Sequence, residues 1–289
     1  MRMAAIVYSS DNIHWTRRAL EFLTQNTSPD TEIILIDNGS TPPYSVVDEG
    51  IFLPLAHRII RYEENIGGNA VFHRWFEDDW FNGNPPEFLA FLHCDLMVRE
   101  VNWDRRVIEA FEADPLLQLV GFVGSTQIDG RGGRGGGTML NYRGDYYTGY
   151  GQASPSAHHG RAVTGLEPAA VVDHAAMILR RDALLQLPPQ EGNYAPEHFY
   201  DRILSCEVLR NGGHIAVLGI DCDHFSGGIG DGMAKADALR RRWLESEGIN
   251  YDPADTYTAV YLESERRFFA EFRGFFPLSV TPNYEVVHG

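Results

Sequence analysis

The sequence predicts an α/β fold in which a parallel sheet carries helices on its faces, and three observations lead there. Short apolar runs alternate with helix-period segments through the first half, and four of those runs end in turn-forming polar residues. At 289 residues the chain is also long enough to bury a core without disulfides or structural metals. AAIVYS (4–9) is the first run, bounded by SSDN; from Ile13, residues Trp15, Leu20, Phe22 and Leu23 recur at helical spacing until Asn26, Thr27, Ser28 and Pro29 stop the helix. EIILID (32–37) and HRIIRY (57–62) are the second and third strands. After the ENIGGN turn a helix carries Ala70, Val71, Phe72, Trp75 and Phe76, and Pro85 and Pro86 separate it from the fourth strand, EFLAFLH. A helix from Trp103 to Ala113 and the strand LVGFVG follow.

Residues 125–168 break the pattern. The run GRGGRGGG and a Tyr- and His-rich stretch show little periodicity, which predicts a long mobile loop. Order returns with AAVVDHAAMILRR as a strand entering a short helix, then a helix over 198–211, the strand HIAVLGI, and helices over 233–246 and 256–272. We expect one domain over residues 1–250 and a C-terminal helical extension over 251–289.

The 40 acidic residues outnumber the 24 basic ones and give a net charge of −16, so the chain repels polyphosphate and general nucleic-acid binding is disfavoured. The run Arg240, Arg241, Arg242 is expected on a solvated helix face. No apolar run approaches the eighteen or so residues of a membrane span, and the N-terminus lacks a secretory pattern, so a cytoplasmic protein is expected. Cys94, Cys206 and Cys222 are odd in number and widely spaced, as reduced thiols are.

A formal G-x-G-x-x-G at Gly130, Gly132 and Gly135 has no helical period after it and reads as flexible loop, not as a dinucleotide site. The informative positions are strand C-termini, the edge where open α/β sheets bind ligands. Tyr8-Ser9-Ser10 ends the first strand, Asp37-Asn38-Gly39-Ser40 the second, and Glu64-Asn65-Ile66-Gly67-Gly68-Asn69 follows the third. Asp37 could accept hydrogen bonds from a base or ribose, while Asn and Gly let backbone approach a ligand. In FLAFLHCDLMV, His93 and Asp95 stand at i and i+2, on one side of an extended chain within an apolar run. A carboxylate is costly to bury there unless it meets a cation, and a divalent ion bridging two phosphates suits its hard oxygens.

AAIVYSSDNIHWTRRALEFLTQ, EIILIDNGS, RYEENIGGNA and FLAFLHCDLMV, in that order, resemble family 2 of the GT-A glycosyltransferases over roughly residues 4–225. The family pattern is a second strand ending in DNGS, an NxG turn and a strand ending in D-x-D. The resemblance implies a Rossmann-like, mostly parallel mixed sheet and a sugar transferase with a nucleotide-sugar donor, a UDP-sugar being favoured. It implies Ser9 and Asp37 near the base and Asn65 near the nucleoside, with Tyr8 and Gly67 also in the nucleotide-sugar site. Asp95 would take the last position of D-x-D, on Mn2+ (or Mg2+) and the diphosphate, with His93 standing where the family has its first Asp. VVDHAAMILRRDAL is similar to the acceptor-side strand, placing Asp173 there, and HFYDRILSCEVLRNGGHIAV resembles the helix that holds the catalytic base. The family's E-D pair is not intact; Asp201 sits closest to it, with Glu197 four residues earlier, expected on the same helix face. DCDHFSGG places His224 as a further metal ligand, with Asp223 as substitute.

Tyr146 and Tyr147, in the aromatic stretch, could offer faces to a glycan or small hydroxyl acceptor. The chemistry implied is transfer of the sugar to a hydroxyl with inversion at C1. A non-catalytic module that binds glycan or nucleotide is the alternative. A sugar-phosphate nucleotidyltransferase would need a Gly-rich basic loop after the first strand, and YSSDNIHW has none.

Overall fold

The computed structural model describes residues 1–47, 52, 54–133, 138–141, 160–186, 195–225 and 233–289. Strands and helices alternate first as β1 (Met3–Ser9), α1 (Ile13–Asn26), β2 (Glu32–Asn38), a short α2 (Tyr44–Val47), β3 (Arg58–Tyr62), α3 (Gly68–Glu77) and β4 (Phe88–His93). Next come β5 (Leu96–Val98), α4 (Trp103–Ala113), β6 (Leu117–Gly121), and the short β7 (Gly124–Ser125), β8 (Gln127–Ile128), β9 (Met139–Asn141), β10 (Arg161–Ala162), β11 (Leu166–Pro168) and β12 (Val171–Val172). The chain continues with β13 (Ala176–Arg180), α5 (Arg181–Gln186), α6 (Tyr200–Arg210), β14 (His214–Leu218), β15 (Cys222–His224), α7 (Met233–Ser246), α8 (Thr256–Glu271), β16 (Leu278–Val280) and β17 (Val286–His288).

Eight strands form the central sheet in the order β11-β14-β6-β13-β4-β1-β2-β3. The block β4-β1-β2-β3 is parallel throughout, whereas β13 runs antiparallel to both β4 and β6, so the sheet is mixed. Alternate residues of one strand feed opposite cores: Ala4 and Ile6 of β1 pack on one face with Ile34, Ile36 and Phe91, and Met3, Ala5 and Val7 on the other with Ile33, Leu35 and Leu92. Burial on both faces is why these strands read as unbroken apolar runs. In α1, Trp15, Thr16, Ala19, Leu20 and Leu23 are the buried stripe.

The described part of 125–168 is not all loop. β7, β9, β10 and β12 form a second, four-stranded sheet, and β8 pairs with β16 of the C-terminal hairpin through Ser279↔Gln127. Strands of two or three residues are too short to leave a period in the sequence. The C-terminal segment accordingly holds α8 followed by a hairpin, and Phe268 and Phe272 of its α8 end are buried in the main core. Among the described residues no helix is long and apolar enough to cross a membrane.

Because β1, β2, β3 and β4 are parallel, their C-termini open on one edge. The register pairs Ser9 with Asp37, Tyr8 with His93, and Asp37 with Arg61, so the loops that follow these strands are neighbours.

Candidate active site

The DNGS and NIGG turns interlock. Asn65 Oδ1 accepts from Gly67 N (2.8 Å) and Asn38 Nδ2 (3.0 Å), and Asn38 Oδ1 accepts from Ile66 N (2.9 Å). Gly39 has φ +76° and a Cβ there would lie 2.4 Å from Asn65 N; Gly67 has φ +83° and a Cβ would lie 2.6 Å from Pro196 O. Both positions therefore require glycine.

A cavity of about 230 Å³ opens between these turns and the end of β4. It is lined by Tyr8, Ser9, Ser10, Asn12, Asn38, Asn65, Gly67, Gly68, His93, Cys94, Asp95, Glu197 and Ala236. Of the residues expected around the donor, only Asp37 stays off its wall. Its carboxylate is fully buried and already engaged: Oδ1 accepts from Ser40 N (2.9 Å), Oδ2 from Tyr44 N (3.0 Å) and Arg61 (2.7 Å). Ser9 is likewise tied from below, its hydroxyl bonded to those of Thr16 (2.6 Å) and Tyr44 (2.7 Å).

His93 closes β4 and Asp95 lies in the turn beyond it, so the two meet around a turn and not along a strand, with Nδ1 and Oδ1 3.6 Å apart. The antiparallel pairing of β15 with β5 sets His224 opposite Leu96, which brings its Nε2 3.3 Å from Asp95 Oδ1. His93, Asp95 and His224 thus form a compact set of donor atoms, all within 4.8 Å of one another. Burial alone would raise the Asp95 pKa, but His224 and His93 outweigh it and hold the carboxyl well below its usual range. Burial pushes His93 down, towards the neutral imidazole that ligates metals. Asp95 Oδ1 is buried and has no aligned hydrogen-bond donor, a costly state for a carboxylate oxygen that a cation would relieve. Two ligand atoms each about 2.1 Å from one ion, at angles of about 90–120°, stand roughly 3.0–3.6 Å apart, so the separations of 3.6 Å from His93 and 3.3 Å from His224 to Asp95 fit a divalent cation. Asp223 faces elsewhere, paired at 3.0 Å with Arg99.

A second cluster adjoins the first. The β12–β13 turn carries Asp173 and His174, and α6 presents Asp201 in its first turn; His174 Nδ1 lies 3.4 Å from Asp201 Oδ2. His174 lies beside His93, the two rings tilted by 52° with centroids 4.6 Å apart, which links the two clusters. Asp173 Oδ1 accepts from Ala175 N and shapes the turn. Cys94, on the cavity wall, is pushed up to about 12 by burial and stays a thiol.

Glu197 and Asp201 do not share a helix face, because α6 begins only at Tyr200, after His198 and Phe199 adopt φ of +69° and +61°. Glu197 instead pairs with Arg240 at 2.7 Å. That contact also corrects the expectation of a solvated arginine run at Arg240, which is buried, whereas Arg242 is exposed; Lys235 and Arg242 of the same helix bind Asp11 (2.8 Å) and Glu64 (2.5 Å). Helix α7 is thereby fastened to three loops at the cavity rim. Tyr146 and Tyr147 lie outside the described residues.

No family model matches the chain, and no curated protein matches it. Solved structures do. GalNAc-T7 with UDP, GalNAc and Mn2+ superposes with a TM-score of 0.51 at 14% identity, over 85% of this chain and 48% of its own. The mannosyltransferase PcManGT from Pyrobaculum calidifontis, in complex with GDP-Man and Mn2+, gives 0.51 at 12% identity, over 91% of this chain and 69% of its own. S. aureus TarS 1-349 gives 0.48 at 15% identity, over 95% of this chain and 74% of its own.

The fold is the GT-A fold of glycosyltransferases.

Within this GT-A fold, sequence reasoning missed His174 and the α7 contacts. The tetrapeptide VDHA did carry a signal for His174, since two ionisable residues interrupt an apolar run just as in LHCD. Arg240 and Lys235 carried none, because their partners are 43 and 224 residues away.

Proposed function

We propose that this chain transfers a sugar from a nucleoside-diphosphate donor to an acceptor hydroxyl, inverting the anomeric carbon. The observation that carries the reading is the convergence of two chemically different clusters, His93–Asp95–His224 and Asp173–His174–Asp201, at the sheet edge where Tyr8, Ser9, Asn65 and Gly67 line the cavity. Similarity to GT-A enzymes solved with UDP or GDP-Man and Mn2+ supports it.

A divalent cation held by Asp95 and His224, with His93 beside them, would supply charge neutralisation for the leaving diphosphate. Asn65, Gly67 and the backbone of the Ser9–Ser10 turn would position the nucleoside, with Asp37 holding their neighbouring turn in shape. Asp201 drives removal of the acceptor proton, directly or through the imidazole it faces, as the acceptor oxygen bonds to C1 and the C1–O bond to the diphosphate breaks. Asp173 and the Tyr146–Tyr147 stretch are assigned to the acceptor side. Glu197, neutralised by Arg240, is the weaker choice of base.

The test is release of nucleoside diphosphate from UDP-GlcNAc and GDP-mannose with added Mn2+, with and without sugar acceptors. Acceptor-dependent release is expected. Nucleotide binding without release under any acceptor would leave only a binding module.

A further inference from the structure

We propose that the Tyr8 hydroxyl donates a hydrogen bond to the sugar of the bound donor, and that Tyr200, directly before Asp201, is the positioning residue that holds it there. This contact deepens the transferase reading and rests on it. The two hydroxyl oxygens stand 3.1 Å apart and join β1 to the first turn of α6 across 192 residues. Among the described residues neither hydroxyl has another hydrogen-bond partner. Each phenol has one proton to give, and the bond between them uses only one. Burial decides which proton is left over. Tyr200 is 6% exposed, whereas Tyr8 stands on the cavity wall. A buried O–H without an acceptor is costly, so Tyr200 donates to Tyr8, and the Tyr8 proton is free to turn into the cavity.

The place of the pair selects the sugar and not the base. The Tyr8 ring stands edge-on to His93 with centroids 5.7 Å apart, and the Tyr200 ring lies 5.3 Å from that of His174. The hydroxyls thus abut both the cluster assigned to the leaving diphosphate and the one assigned to the acceptor proton. The transferred sugar must reach both, because its C1 breaks a bond to the first group and forms one beside the second. Its hydroxyl oxygens accept the bond that Tyr8 offers. Tyr200 is itself well fixed: its N donates to His198 O (2.8 Å) and its ring packs 5.2 Å from that of Phe72.

The experiment compares full-length parent, Tyr8→Phe, Tyr200→Phe and the double variant by isothermal titration with Mn2+ and no acceptor, using UDP-GlcNAc against UDP and GDP-mannose against GDP. The readout is the ratio of the nucleotide-sugar Kd to that of its nucleotide. For at least one pair Tyr8→Phe should raise this ratio about three- to tenfold, as loss of one neutral hydrogen bond does, with the nucleotide Kd itself unchanged. Tyr200→Phe should raise it by less, and the double variant no more than Tyr8→Phe alone. A purely structural role would instead move nucleotide and nucleotide sugar together. Urea unfolding gives a second readout without ligand. Tyr8→Phe strands the buried Tyr200 O–H and should be less stable than the double variant, which has no hydroxyl left to satisfy. An unchanged ratio for both pairs, equal losses for nucleotide and nucleotide sugar, or a double variant less stable than Tyr8→Phe would each overturn the proposal. Turnover of UDP-GlcNAc and GDP-mannose is measured separately. Turnover with an unchanged ratio keeps the transferase reading and refutes this contact; a raised ratio without turnover on any acceptor does the reverse.

Discussion

Asp37→Asn separates two roles for a residue that the sequence places at the donor edge and the structure places beneath it. The carboxylate is fully buried and accepts three hydrogen bonds, two from backbone N–H groups and one from the Arg61 guanidinium at 2.7 Å. Asparagine has nearly the same volume but one acceptor oxygen, so its NH2 must face a donor that it cannot satisfy. The loss comprises one charge-assisted hydrogen bond, at about 1.5–3 kcal/mol, and one buried donor left unsatisfied, at about 1–3 kcal/mol. The total is about 4 kcal/mol, in line with the cost of breaking a buried ion pair from one side. At roughly 2–4 °C per kcal/mol for a chain of this size, Tm should fall by about 10 °C. Thermal and urea unfolding measure the loss, and nucleotide affinity is measured well below the new Tm. A variant with unchanged Tm but lost donor affinity would refute the argument, because Asp37 would then contact the donor and not hold the turn.

Asp95→Ala should remove Mn2+-dependent nucleotide binding while the fold persists; isothermal titration that finds unchanged affinity would contradict the metal assignment. Asp201→Asn should lower kcat by about two orders of magnitude or more with donor Kd little changed, as expected of a group acting in proton removal. Glu197→Gln should affect kcat less but destabilise the protein by about 2 kcal/mol, because the buried Arg240 loses its partner; a reversed ranking in kcat would move the base to Glu197. Burial, helped by Arg240, lowers the His198 pKa from 6.5 to about 4. The unfolded chain therefore binds a proton that the folded one refuses, so stability present above pH 6.5 declines as pH falls towards 4, by about 2 kcal/mol at pH 5. Urea unfolding at pH 7 and pH 5 should show a smaller loss for His198→Gln than for the parent, and equal losses would remove His198 as the cause.

The sequence by itself determined the parallel half of this protein. Runs such as AAIVYS and EIILID are apolar on both faces because both faces are buried, and a strand that is buried twice leaves no ambiguity about its place in a central sheet. It also placed Tyr8, Ser9, Asn65, Gly67, His93 and Asp95 around one opening, since the C-termini of parallel strands share an edge. What only the tertiary structure decided were relations between segments far apart in the chain. His224 reaches Asp95 because β15 pairs with β5, His174 reaches Asp201 across 27 residues, and Arg240 neutralises Glu197 from another helix. The turn chemistry of Asp37 was legible in the sequence, while its pairing with Arg61, 24 residues further on, was not. Local sequence records periodicity and turn preference, which depend on near neighbours; the partner that a charge acquires depends on how the whole chain packs, and no short window contains it.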